Sequence, residues 1–174
     1  MASEVGEASP AVRRWRPVAT AVICLIGTGL AGWLTWAHYF DQKAIENTCS
    51  TLSGGDHGII NCGIVTSSPE SIIFGIPVAL FGLLYFMAMI AVCSPQAWRS
   101  TSRRLAQFRL VAVIAGMGFV LYLIGVEAHL RYICIFCTGE HVLQFALFMV
   151  VITGWDDTGY ARWPTKATTL RSGT

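Results

Sequence analysis

Two of the six cysteines form the run Cys134-Ile-Phe-Cys137, and two more, Cys49 and Cys62, share one polar stretch upstream. Thiols three residues apart in the first turn of a helix lie on one face, close enough to bridge. The free N–H groups and the positive dipole end there stabilise a thiolate. A low-pKa thiol attacks and leaves well, so a disulfide at such a place is reversible. The chemistry on offer is dithiol–disulfide exchange. Glu140 and His141 follow one turn later inside an apolar run, where charge is costly and often functional. His141 could hydrogen-bond or protonate the oxygen of an electron acceptor, or simply bond a neighbouring helix. Glu140 falls on an adjacent face.

Other uses of these cysteines compete. Four of them could bind zinc, but zinc sites favour two tight pairs, and the spacing from Cys49 to Cys62 is wide. Two structural disulfides are a second option, although a CxxC loop is too short to constrain much chain. Thiol lipidation prefers cytoplasmic juxtamembrane cysteines, which would suit Cys93 better. Cys24 and Cys93 lie in or at the end of apolar segments and are expected to be small apolar fillers.

The elements that must carry these residues are apolar. Of the 174 residues, 54% are hydrophobic and 13% charged, about half the charge of an ordinary soluble domain. That excludes a disordered chain or a polar repeat, and a net charge of +2 does not argue for nucleic acid. Apolar stretches cover about residues 17–40, 71–93, 110–125 and 132–154. Crossing the hydrocarbon takes about 20 residues; the third stretch reaches that only if Glu127 and His129 lie at the interface, where both are expected to be solvated. The first stretch is too long for a signal-peptide core and has no small-residue cleavage site. Apolar blocks rather than alternation exclude a barrel. The expected fold is therefore an all-α integral membrane bundle of four transmembrane helices, with a long extracytoplasmic loop and a short half-helix near residues 64–67 after the first span.

Charge placement orients the bundle. Of twelve Lys and Arg residues, only Lys43 and Arg131 fall on the side holding the 41–70 loop and the 127–132 turn. The positive-inside rule then puts both termini in the cytoplasm and Cys49, Cys62, Cys134 and Cys137 outside, where disulfides persist. Ser67-Ser68-Pro69-Glu70 predicts a capped start to the second span, with a kink at Pro77. The expected organisation is a cytoplasmic tail over 1–16, a membrane catalytic domain over 17–154 and a polar cytoplasmic tail over 155–174. Ser53-Gly54-Gly55-Asp56-His57-Gly58 is expected to be a flexible loop, with His57 an ordinary loop residue.

Taken together, Cys49, Cys62, the Ser68-x5-Phe74-Gly75 segment and the Cys134-Ile-Phe-Cys137 opening of the last span resemble the vitamin K epoxide reductase family. The length and four-span layout match as well, over about residues 17–154. Ile133-Cys134-Ile135 is similar to the animal enzymes, whereas Phe74-Gly75-Ile76-Pro77 looks more like bacterial members. The bacterial resemblance implies a membrane thiol-disulfide oxidoreductase that supplies disulfides to secreted proteins. Its cofactor would be a quinone of menaquinone, ubiquinone or vitamin K type. Its partner would be a separate secreted or periplasmic thioredoxin-fold, DsbA-like thiol oxidase, because no such domain is fused. The protein would sit in the plasma membrane, as a monomer by default.

Residue by residue, the resemblance implies that Cys134 and Cys137 are the active-site pair. Cys137 would contact the quinone and Cys134 would exchange with the loop. Cys49 and Cys62 would be the shuttle pair, with Cys62 forming the mixed disulfide with Cys134. Ser68 would organise the quinone pocket and Phe74 would line it. Three features depart from the pattern. The Cys49–Cys62 spacing is longer. Ser71 stands where animal members carry an asparagine on a quinone oxygen, and His141 stands for an aromatic hydroxyl. These changes favour quinone reduction over epoxide reduction. The alternative readings are a vitamin K quinone or epoxide reductase fuelled by thiols, and a non-catalytic scaffold with two stable disulfides.

Overall fold

The computed structural model describes residues 10–53, 58–100 and 102–154, with side chains from Trp15 onward. The polar C-terminal tail, residues 1–9 and the Gly54–His57 part of the 41–70 loop lie outside the described residues. Helix α1 spans Pro10–Phe40, α2 Gln42–Ser53 and α3 Cys62–Ser67. A single turn over Pro69–Ser71 leads into a two-stranded hairpin, β1 Ile72–Ile73 and β2 Ile76–Pro77. Then come α4 Val78–Val92, α5 Pro95–Arg99, α6 Arg103–Leu130 and α7 Ile135–Thr153.

Among the described residues, three helical segments are long and apolar enough to cross a membrane: Trp15–Phe40, Arg103–Leu130 and Ile135–Thr153. Their outward faces are apolar, with Val18, Leu25, Phe108, Val111, Leu121 and Phe145 all exposed. Such a surface suits lipid and would aggregate in water. Within the helices the hydroxyls look after themselves: Thr20, Thr28 and Thr35 each donate to the carbonyl four residues back, at 3.0, 2.8 and 2.7 Å. That removes unsatisfied polar groups from an apolar surrounding.

The segment before α4 differs from the sequence expectation. Ser68 does cap, but it caps the Pro69–Ser71 turn: its Oγ accepts from the Ser71 N–H at 3.2 Å and donates to the Val65 carbonyl at 3.1 Å. The apolar helix begins only at Val78, so Pro77 is its N-cap residue and not a kink inside it. Proline lacks the N–H that a helix interior needs, and the hairpin Ile72–Pro77 takes up the residues between. α4 is thus 15 residues long, about 22 Å at 1.5 Å per residue. The 41–70 loop is likewise mostly helical, carrying α2 and α3.

Close backbone approach holds α1 on α4. A Cβ built on Gly27 would fall 2.7 Å from the Phe86 ring, while Gly32 and Gly82 face Leu83 and Ala31 at 3.6 and 3.7 Å. Small residues let membrane helices pack this way. Gly27→Ala should therefore overpack the contact and cost about 1–3 kcal/mol, measurable as a lower unfolding temperature in detergent. At the end of the bundle away from α2 and α3, Arg109 donates from Nε and Nη2 to the Val92 carbonyl at 3.0 and 2.7 Å and stacks on Trp98, 4.1 Å from the ring centre. Cys24 of α1 and Cys93, just past the end of α4, are both fully buried there in one apolar cluster. Both are free thiols packed in an apolar cluster, as small buried fillers would be.

Candidate functional site

The other four cysteines gather at the opposite end. Cys49 on α2 and Cys62 at the start of α3 are joined by a disulfide with a Cα–Cα separation of 6.1 Å. Both are buried, in a cluster that contains Leu34 and Ala37 of α1, Val65 of α3, and Cys134 and Phe136. Trp33 of α1 lies over Phe136 with ring centres 4.8 Å apart. Two backbone bonds dock the chain before Cys62 onto the chain before Cys134. The Ile133 N–H donates to the Ile59 carbonyl at 2.8 Å, and the Asn61 N–H donates to the Ile133 carbonyl at 3.1 Å. The Asn61 side chain then caps α3, accepting from the Ile64 N–H at 3.0 Å. Gly63 permits α2 to sit against this turn, since a Cβ there would meet the Glu46 side chain at 2.6 Å.

Cys134 is the N-cap of α7 and Cys137 is in its first turn, the placement that thiolate chemistry requires. Arg131 makes this possible by ending α6 in the left-handed conformation, φ 61°, which turns the chain back within four residues. The Cys134 Sγ accepts from the Cys137 N–H at 3.3 Å. The Cys134 thiol is held below its ordinary range, mainly by the hydrogen bond from the Cys137 thiol and further by the N–H groups of Cys137 and Phe136; burial opposes them. Its own N–H donates to Glu127 Oε1 at 3.2 Å.

The two thiols face different neighbours. Cys134 is fully buried beside the loop disulfide. Cys137 lies on the wall of a cavity of about 520 Å³, bounded by α1, the hairpin, α4, α6 and α7. The wall is apolar except for a few groups that include Glu127, Glu140, His141, Gln144 and Tyr85. Three buried polar atoms among these have no hydrogen-bond partner: Glu140 Oε1, His141 Nε2 and Gln144 Oε1. Unpaired polar atoms in an apolar cavity are costly, and a bound molecule carrying oxygens would satisfy them. Gly116 opens the inner end, since a Cβ there would fall 2.5 Å from Gln144 Nε2 and 2.8 Å from the Tyr85 hydroxyl.

Of the residues implied by resemblance, Cys137, Ser71, Phe74 and His141 all line this cavity. Ser71 donates its hydroxyl to the carbonyls of Thr66 and Ser68, at 2.8 and 2.7 Å, so its proton is held by the turn. Phe74 borders the cavity only at its edge. It sits at the hairpin tip with φ 53° and is 97% exposed. Ser68 is not on the wall; it is 6% exposed and acts as a cap. Glu127 was expected to be solvated at the interface, yet it is half-buried on the cavity wall. Sequence reasoning also missed Tyr85, Gly116 and Gln144. A signal for Gln144 existed: it lies seven residues after Cys137, two helical turns along the same face.

A helical membrane protein with a dithiol poised between a second cysteine pair and an apolar cavity is, as a class, a membrane thiol-disulfide oxidoreductase. Comparison with protein families gives the particular one: the model of the vitamin K epoxide reductase family matches residues 18–152. The chain belongs to that family. Membership makes it a multi-pass membrane oxidoreductase of the thiol-disulfide and quinone kind.

Proposed function

We propose that the chain takes electrons from a reduced, extracytoplasmic thioredoxin-fold protein and passes them to a membrane quinone, renewing disulfides for secreted proteins. The observation that supports this best is the docking of Ile60 against Ile133. It holds Cys62 next to Cys134, while Cys137, one turn on, faces the cavity. A sulfur that exchanges and a sulfur that meets an apolar acceptor are thus adjacent, one toward the loop disulfide and the other toward the cavity.

In this reading the partner's thiolate attacks the Cys49–Cys62 disulfide. The partner's second thiol then resolves its mixed disulfide with Cys49, leaving the partner oxidised and Cys49 and Cys62 as thiols, and Cys62 exchanges with an oxidised Cys134–Cys137 pair. The pair becomes a dithiol as Cys49 and Cys62 close again. The cavity fits a quinone: it is apolar, of suitable volume, and carries unpaired polar atoms for carbonyl oxygens. His141, Gln144 and Glu140 would hold the head group, and the apolar wall of α4 and α6 the tail. When bound, the quinone supplies a two-electron acceptor. Cys134 and Cys137 then close their disulfide, and the apolar wall keeps water out. The relay runs downhill when each acceptor has the higher reduction potential. We further propose four spans, α1, α4, α6 and α7, with both termini cytoplasmic in a plasma membrane. The hairpin Ile72–Pro77 completes the outer half of the short second span.

The test is menadione reduction by the purified full chain, coupled to oxidation of a reduced thioredoxin-fold donor. Absence of quinone reduction with every donor would overturn the proposal. Product analysis with the epoxide substrate distinguishes the thiol-fuelled epoxide reductase. Two variants belong here. Gly116→Val should crowd Gln144 and Tyr85 and raise the KM for menadione about tenfold or more, with thiol exchange between the cysteine pairs unaffected. Cys93→Ala, in the remote cluster, should lower stability by about 1 kcal/mol and leave turnover at the wild-type level.

A further inference from the structure

Closing the Cys134–Cys137 disulfide releases two protons along with two electrons, and both protons end on quinone oxygens. The cavity is apolar, so the protons need carriers among its side chains. Two carboxyl groups stand on the wall, Glu127 from α6 and Glu140 from α7, and both lie within electrostatic reach of Cys137. They differ in environment. Glu127 Oε1 is engaged by the Cys134 N–H at 3.2 Å, which places this carboxylate beside the Cys134 thiol. Glu140 Oε1 is buried and has no hydrogen-bond partner, and Glu140 sits one turn after Cys137, on the cavity side of α7. Burying a carboxylate without a partner is costly, and the neutral, proton-bearing form is the one that such a surrounding accepts at least cost.

We propose that Glu140 delivers one of the two protons to the quinone, and that Glu127 receives the matching proton from Cys134. The inference rests on the quinone-reducing reading above. The balance is as follows. The reduced site holds the Cys134 and Cys137 thiols, neutral Glu140 and ionised Glu127. As the S–S bond forms, two electrons leave the sulfurs for the quinone. Glu140 gives its proton to one quinone oxygen, and the Cys137 thiol, which faces the cavity, supplies the other. Cys134 loses its proton to Glu127, which returns it to Glu140. Both carboxyl groups end as they began. The net change is two thiols and a quinone converted to a disulfide and a quinol.

The test compares wild type with Glu140→Gln and Glu140→Asp, as full-length protein in detergent, using menadione as acceptor and dithiothreitol as donor. Glutamine keeps the size and a hydrogen-bond donor but has no acidic proton. Glu140→Gln should lower kcat about a hundredfold, with the KM for menadione within about twofold of wild type. Exchange between Cys49–Cys62 and Cys134–Cys137, followed by alkylation trapping without quinone, should be unchanged. Glu140→Asp, which restores an acid, should recover most of the lost rate. A second readout needs no quinone: the carbonyl-stretch infrared band of a protonated carboxyl group should be present in the reduced wild type and missing in Glu140→Gln. Wild-type kcat in Glu140→Gln would overturn the proposal, as would a raised KM with kcat unchanged, or no carboxyl band lost. Should Glu140→Gln fail to fold, failure of Glu127→Gln to slow turnover would overturn it equally. If the wild type itself does not reduce menadione, the quinone reading has failed and not merely this refinement of it.

Discussion

Replacing Cys137 by alanine is expected to lower quinone reduction about a thousandfold or more, since removing a reacting group from a unit that acts together costs nearly the whole effect. The loss should be the same with a protein donor and with dithiothreitol. Both donors must deliver electrons through the thiol on the cavity wall, and Cys134 is fully buried away from it. The fold should survive, because Cys137 is only half-buried and alanine is a good helix former. Cys134 should stay trapped as a mixed disulfide with Cys62, visible as a non-reducing gel shift after proteolysis between them. Full turnover in Cys137→Ala would show that electrons leave by another sulfur.

The second large effect is one of donor selectivity. Cys49→Ala removes one half of the loop disulfide while leaving Cys134 and Cys137 in place. Turnover with a reduced thioredoxin-fold protein is expected to fall about a hundredfold or more, because such a bulky donor cannot reach a Cys134 sealed under Trp33, Phe136 and Val65. With dithiothreitol most of the rate should remain, since a small dithiol can reduce the Cys134–Cys137 disulfide, or its mixed disulfide with Cys62, directly. The measurement is the ratio of the two rates. Equal rates in wild type and Cys49→Ala with the protein donor would mean that the loop is not the shuttle, and equal losses with both donors would mean that its disulfide serves only the fold. Cys49→Ala should also loosen α2 from α3, lowering the unfolding temperature, because that bond ties the two helices together.

The class of this protein is legible in its local sequence. Hydrophobic blocks long enough for lipid, a charge bias of two Lys/Arg against ten, and Cys134-x-x-Cys137 opening an apolar run are local facts, and local physics reads them. Helix α7 begins where capping and the dipole favour a thiolate, and the N-cap is Cys134 itself. The second span was less legible. Ser67-Ser68-Pro69-Glu70 carries a true start signal, but it starts a three-residue turn, and nothing local distinguishes that from a longer helix. Pro77 then ends a hairpin because β1 can pair with β2, a contact that hydrophobicity does not encode.

Which groups share the cavity follows from helix packing and not from the local pattern. Glu127 and Cys134 are seven residues apart across a turn that Arg131 bends through positive φ, and their contact could not be inferred from helical periodicity. Tyr85, Gly116 and Gln144 come from three helices and meet because Gly116 has no Cβ to keep the other two apart. Cys24 of α1 and Cys93, just past α4, likewise share one buried cluster although 69 residues separate them. Spacing along the chain fixes what lies on one face of one helix. Which faces meet depends on side-chain volumes summed over the whole bundle, and that sum is settled only when the helices pack.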